Sequence, residues 1–141
     1  MQYNNNLNNN KMFDWKKPTV QMLGRWQPWH DGHQALFKRC VAKTGQVIIQ
    51  VRDVQGSSGG DGQDDNPFDW DAVCKNIEDG LIKDNFKRGV DYEIMLVPNI
   101  VNITYGRGVG YAFDEEVFDE ATHSISATKI RKKMRDEGKL K

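Results

Sequence analysis

His30 and His33 stand three residues apart in the stretch GRWQPWHDGH, Gly24 to His33, with Gly32 directly before the second. Imidazoles accept and donate hydrogen bonds near neutral pH and also ligate metals. Three chemistries fit such a stretch: a metal site, an aromatic folding nucleus, or a cradle for phosphate. A zinc site needs three or four ligands. Asp31 is the one neighbouring candidate, and Cys40 and Cys74 lie far away at no metal spacing. No protein-ligated metal is expected. Trp26 and Trp29 read equally as core residues and as platforms for a base. A phosphate cradle needs a helix N-terminus, where unpaired N–H groups and the macrodipole attract an anion. Gly32 would let backbone and ligand approach closely.

The surrounding pattern supplies such a helix. Thr19–Leu23 is a short apolar run of strand formers ending at Gly24. Ala35, Leu36, Phe37, Cys40 and Val41 then form a helical stripe from about Gly32, stopped at Gly45. Gln46–Val51 is a second strand. Strand, helix and strand within so short a span make a right-handed βαβ unit with a parallel sheet. The turn that carries both histidines therefore falls at the carboxyl end of strand one, where open parallel sheets bind ligands.

Further along, Arg52–Phe68 is rich in Gly, Ser and Asp and reads as a loop. Val73, Ile77 and Leu81 repeat every fourth residue in a helix that Asp69 or Asp71 can cap. Tyr92–Pro98 is a third strand. Asn99–Phe113 holds β-branched residues broken by glycines, read as loop plus a short strand. Ser124 or Ser126 can cap a last helix running to about Arg135 and ended by Gly138. The expected fold is a three-layer α/β/α domain with a Rossmann-like, doubly wound parallel sheet. Residues 18–141 would form one domain behind a flexible, asparagine-rich extension, 1–17, that Phe13 and Trp15 could pack against it.

Composition limits the partners. Twenty basic and twenty acidic residues cancel, which argues against a broad nucleic-acid surface. No apolar run approaches the roughly 20 residues of a membrane span, and the first residues lack the apolar core of a signal peptide. Two distant cysteines suit buried free thiols in a reducing compartment. The expected location is the cytoplasm, without nucleic-acid or membrane partners; self-association is left open.

Taken together, GRWQPWHDGH, ISATKIR (Ile125–Arg131) and DNPF (Asp65–Phe68) resemble a family. The first looks like the H-x-G-H signature of the nucleotidyltransferase superfamily. Its wider form, G-R-x-Q-P-x-H-x-G-H, resembles archaeal-type nicotinamide mononucleotide adenylyltransferases. The second matches the I-S-x-T-x-x-R signature near the carboxyl end. The third is similar to the N-P-F segment that follows strand two. The likeness runs from Thr19 to about Met134.

The resemblance implies that a phosphorylated acceptor attacks the α-phosphorus of a nucleoside triphosphate in line and pyrophosphate leaves. An ionised phosphate needs no general base, so catalysis would be positioning and charge stabilisation. His30 and His33 would hold the α- and β-phosphates. Arg131 would clamp the leaving pyrophosphate. Backbone at Gly24, Arg25 and Trp26, with Gly32, would line the nucleotide cleft. Ser126 and Thr128 would meet the outer phosphates, with Lys129 in reach. Asp53, Asn102 and Arg107 are weaker candidates for the acceptor; a loop cap at Asp53 and surface loop at the other two are the plainer readings. Mg²⁺ would arrive on the triphosphate.

Two departures matter. Tryptophans occupy Trp26 and Trp29, where the family usually has phenylalanine. The stretch between Pro98 and ISATKIR is short, closer in length to glycerol-3-phosphate cytidylyltransferases, which lack the proline before the first histidine. Transfer of AMP from ATP to a phosphorylated acceptor, with nicotinamide mononucleotide the leading single candidate, is the reading the motif favours. A cytidylyltransferase using CTP and a phosphorylated alcohol, and a nucleotide-binding regulatory module without turnover, are the alternatives.

Overall fold

The computed structural model describes residues 12–56, 65–108, 110–116, 118 and 126–140. Among the described residues three strands and three helices alternate: β1 (Val20–Gly24), α1 (Asp31–Thr44), β2 (Val47–Arg52), α2 (Trp70–Ile82), β3 (Tyr92–Val97) and α3 (Ala127–Asp136). The strands are parallel in the order β1-β2-β3. Val20 pairs with Val47 and Gly24 with Val51, while Val47 pairs with Tyr92 and Arg52 with Val97. The α/β class with a parallel sheet stands as the sequence implies. Both crossovers step the same way across the sheet, and the reversal of strand order that defines a doubly wound sheet is not present among the described strands.

Period two along the strands decides which side chains are buried. Val47, Ile49 and Val51 of β2 face the core, together with Met22 of β1 and Tyr92 and Ile94 of β3. Phe37 and Cys40 of α1 and Val73, Cys74, Ile77 and Leu81 of α2 close over them. The three apolar positions read at fourth-residue spacing in α2 are thus all core. Phe37, Ile49, Ile77 and Leu81 have no exposed surface, and burial of such a side chain contributes about 1.5–3 kcal/mol. Cys40 and Cys74 are free and buried.

Helix ends follow local chemistry. Gly45 takes φ +90° and its N–H closes α1 on the Val41 carbonyl, the left-handed cap that glycine adopts most readily. Asp69 caps α2 by accepting from the Ala72 N–H. Ser126, not Ser124, caps α3 through the Lys129 N–H; Ser124 and Ile125 lie outside the described residues. The short strand expected within Asn99–Phe113 is not formed among the described residues, because these β-branched side chains have no neighbouring strand to bond. Near the start, the Phe13 N–H donates to the Gly89 carbonyl, and Gln46 exchanges two hydrogen bonds with the Asp14 backbone. Phe13 and Asp14 are therefore tied to the domain, while Trp15 is exposed. No described helix is long and apolar enough to cross a membrane.

Candidate active site

The turn from Gly24 to His30 leaves the carboxyl end of β1 and enters α1. His30 is the N-cap of α1, at φ −142° and ψ −179°. Its Nδ1 accepts from the Gly32 N–H at 3.0 Å and the His33 N–H at 3.4 Å. In return the His30 N–H donates to His33 Nδ1 at 3.2 Å. The two histidines form a reciprocal capping box, a task usually given to Ser or Thr with Glu or Gln. Their rings stack at 3.6 Å with planes 17° apart. The expectation that α1 offers free N–H groups at Gly32 is corrected here, since that group and the His33 N–H are taken by His30.

This box fixes the chemistry of both rings. Each Nδ1 is an acceptor, so each neutral ring carries its proton on Nε2 and presents it as a donor. Burial, followed by the neighbouring His30, lowers the His33 pKa to about 3. Burial also lowers His30, against the pull of Asp31 and its own backbone hydrogen bond. Stacked imidazoles cannot both hold a charge away from water.

Three further ties hold the turn. Gln27, 4% exposed, donates to the Phe68 carbonyl at 2.9 Å and accepts from the Phe68 N–H at 2.8 Å. Gln34 accepts from Trp29 Nε1 at 2.8 Å and donates to the Gly80 carbonyl and to Asp84. Arg131, 2% exposed, donates through Nη1 to the Gln27 carbonyl at 2.7 Å and stands 3.5 Å from Asp65. The turn is thereby bound to the N-P-F segment, to α2 and to α3. The Gln27–Pro28 peptide is cis.

The tryptophans are part of this frame. Trp26 and Trp29 are buried and pack 5.2 Å apart. Both flank the His33 ring, Trp26 edge-on at 4.7 Å. Trp26 takes φ +55°, an unfavourable backbone state for a bulky residue. Its ring lies over Gly24 and its Nε1 donates to the Gln50 carbonyl. The core reading of both tryptophans is the one the structure bears out.

Two cavities flank the turn. The smaller, about 330 Å³, is lined by Gly24, Arg25, Trp26, His33, Ala127 and Arg131, with Leu23, Gln27 and Leu36. It joins the two sequence signatures. The larger, about 530 Å³, lies between the turn and α2 and takes His30, Asp31, Gln34, Asp79 and Asp84 into its wall. His33 and Arg131 thus share a cavity, while His30 opens onto the neighbouring one with its ring stacked on His33. Arg25 reaches Asn66 at 3.3 Å. Burial lowers the Arg131 pKa and Asp65 opposes that shift. Its Nε has no partner among the described residues.

Other candidates are placed differently. Ser126 is at the α3 N-terminus, and Thr128, exposed, stands 3.4 Å from Arg131. Lys129 is exposed. Asp53, Asn102 and Arg107 are exposed and line neither cavity; Asp53 extends the sheet through its N–H to the Val97 carbonyl. Among the described residues no group of three His, Cys, Asp or Glu side chains is arranged to hold a metal ion. Sequence reasoning passed over Gln27, Gln34, Asp65 and Asn66. The N-P-F resemblance pointed at the last two and the G-R-x-Q-P-x-H-x-G-H form contains Gln27 without giving it a role, while nothing local marks Gln34.

Comparison with known proteins adds an independent line. No family model matches the chain. A nicotinamide-nucleotide adenylyltransferase of Methanococcus aeolicus is 25% identical over 118 residues, covering 77% of this chain and 66% of that protein. One of Methanococcus maripaludis is 26% identical over 137 residues, covering 82% of this chain and 77% of its own length. The chain spans just under two thirds of the first relative. In sequence the chain is thus similar to two archaeal nicotinamide-nucleotide adenylyltransferases, and its histidine turn lies at the carboxyl end of a parallel α/β sheet.

Proposed function

We propose that the protein transfers AMP from ATP to a phosphorylated small-molecule acceptor and releases pyrophosphate. Nicotinamide mononucleotide is the first acceptor to test, because both relatives are named for a nicotinamide nucleotide. The observation that carries this reading is the shared cavity of His33 and Arg131, residues of two distant segments. An anion between them would meet an imidazole donor, the Gly24–Trp26 backbone and a guanidinium within one enclosure.

The roles follow from the geometry. His33, held with its proton on Nε2, donates to a phosphoryl oxygen, and the bond strengthens as charge develops there. His30 keeps His33 in that tautomer and donates from its own Nε2. Arg131 supplies positive charge beside the leaving pyrophosphate. Ser126, Thr128 and Lys129, at the start of α3, lie toward the outer phosphates, where the helix N-terminus favours an anion. The acceptor's ionised phosphate attacks the α-phosphorus, the bond to the bridging oxygen breaks, and pyrophosphate carries the charge away. Magnesium enters as part of the substrate, bound to the triphosphate.

Pyrophosphate release measured with each of the four nucleoside triphosphates, with and without nicotinamide mononucleotide, tests the proposal. ATP with the acceptor is expected to support turnover. His30→Ala and His33→Ala are expected to lose most of it, on the order of 10²-fold or more if each supplies a transition-state donor, while still binding ATP. Turnover with CTP alone and a phosphorylated alcohol, or ATP binding without turnover across phosphorylated acceptors, would reject it.

A further inference from the structure

Gln34 lies on the buried stripe of α1, with Phe37 and Cys40. An apolar side chain is the usual occupant of such a position, and a buried amide is costly unless its hydrogen bonds are made. Its Oε1 accepts from Trp29 Nε1 at 2.8 Å, and its Nε2 donates to the Gly80 carbonyl at 2.7 Å and to Asp84 at 2.8 Å. Asp84 in turn stands 3.1 Å from Lys38 Nζ, one turn further along α1. The demand for an amide comes from Trp29. That residue is buried, and an indole carries one donor, the Nε1–H, which Gln34 satisfies.

α2 is shaped to the same contact. A Cβ on Gly80 would stand 2.9 Å from Trp29 Cδ1, 3.0 Å from its Nε1 and 3.2 Å from Gln34 Oε1. Glycine is a poor helix former, so its place inside α2 is explained by the close approach of this pair. Trp29 passes the constraint on to the histidines. Its ring lies against His33 at 5.5 Å, and it directly precedes the N-cap His30. Trp26 and His30 hold the His33 ring on its other sides. Of these three neighbours, Trp29 is the one fastened to α2 through a side-chain amide.

We propose that Gln34 is a positioning residue: by holding the Trp29 indole it keeps the His33 ring in the orientation that presents its Nε2–H to the cavity shared with Arg131. Its effect on turnover rests on the reaction proposed above; its effect on the His33 ring rests on the geometry alone. A donor to a reacting phosphoryl group tolerates little displacement, and about 1 Å can cost on the order of 10²-fold in rate. The His33 hydrogen bond strengthens as charge develops, so misplacing it lowers kcat more than it raises KM.

Gln34→Met tests this, because methionine is of similar length and lacks the strong acceptor. With ATP and the acceptor, kcat per folded molecule is expected to fall on the order of 10- to 100-fold, with KM for ATP nearly unchanged. The ring-nitrogen shifts of His33, read by nuclear magnetic resonance, are expected to change from a single tautomer protonated on Nε2 to a mixture. Adding Trp29→Phe removes the unsatisfied donor and is expected to restore both. A residue that only stabilises the fold would lower the melting temperature and move neither readout. Should Gln34→Met not fold, Gly80→Ala displaces the same indole from the side of α2, where alanine itself favours the helix, and the same two changes are expected. A folded variant with the parent's kcat and the parent's His33 shifts overturns the proposal, and so does a loss in Gln34→Met that Trp29→Phe fails to restore. A parent chain without turnover rejects the proposed reaction instead, and the His33 shifts then decide the role of Gln34 alone.

Discussion

Arg131 and Gln27, 104 residues apart, are joined by a 2.7 Å hydrogen bond from the guanidinium Nη1 to the backbone carbonyl. The same guanidinium stands 3.5 Å from Asp65 and 3.4 Å from the Thr128 hydroxyl. One buried side chain thus connects α3, the segment before α2 and the histidine turn. Its sequence signature suggested a phosphate clamp, and the structure adds that it fastens the turn. Arg131→Lys keeps one charge but cannot span Gln27 and Asp65 together. The carbonyl of Gln27 then loses its partner, at about 1–3 kcal/mol. Thermal unfolding should show a drop of several degrees, and calorimetry should show weaker ATP binding. An unchanged melting temperature would mean that the fastening contributes nothing.

Gly24 and Trp26 form a second coupled pair. A Cβ on Gly24 would come within 2.8–2.9 Å of the Trp26 benzo ring. That ring is fixed by the core and by its hydrogen bond to Gln50, so it cannot swing away cheaply. Gly24→Ala should cost about 1–3 kcal/mol and disturb His33, against which Trp26 packs. Trp26→Phe lacks the clashing atoms and should relieve part of the cost. A double-mutant cycle by urea unfolding checks this; simple additivity of the two changes would refute the contact.

The histidine box gives stability a pH dependence of definite sign. Above about pH 7 both rings are neutral in the folded and unfolded chains, and neither contributes a slope. As pH falls through the unfolded value of 6.5, the unfolded chain takes up protons that the folded one refuses until about pH 3 at His33. Stability attributable to these rings therefore falls as pH falls, by at most about 1.4 kcal/mol per pH unit for each histidine. The depressed carboxylates Asp84 and Glu116 act in the same direction, but from ordinary values of 3.8 and 4.5. The window from pH 6.5 down to roughly pH 5 is set mainly by the histidines. Urea unfolding across it should show the slope, and His33→Asn should flatten it. Identical slopes in the two proteins would show that His33 titrates freely when folded.

The framework was legible in the sequence because it rests on apolar runs and helical spacing. β2 is a short run of β-branched residues and α2 has apolar positions at a spacing of four, and both formed where expected. What was illegible depends on burial that only the tertiary fold creates. Gln27 and Gln34 are polar residues in a turn and a helix, and local sequence does not distinguish them from solvent-exposed ones. His30 as a cap escaped notice because caps are expected to be Ser, Thr, Asp or Asn. The β-branched residues after Pro98 suggested a strand, but a strand needs a neighbour, and pattern alone does not reveal that none is within reach. The two signatures around His33 and Arg131 pointed to a common cavity; the separate opening of His30 comes from its stacking, which spacing does not encode.

Gln27 offers the sharpest test of how the turn is held. Its amide makes two complementary bonds with one residue, accepting from the Phe68 N–H and donating to the Phe68 carbonyl. Gln27→Glu preserves shape and the accepting half. As a carboxylate it would set a second oxygen against the Phe68 carbonyl, a repulsion in a buried place. Protonation restores the donor. The introduced carboxyl should therefore have a raised pKa in the folded state, and its destabilising effect should grow as pH rises above about 4.3, the unfolded value. That sign is opposite to the one set by the histidine box. Urea unfolding at mildly acidic and mildly alkaline pH should show a variant nearly as stable as the parent in acid and clearly weaker in base. A deficit of equal size at both pH values would mean that the donor half of the pair does not hold the turn.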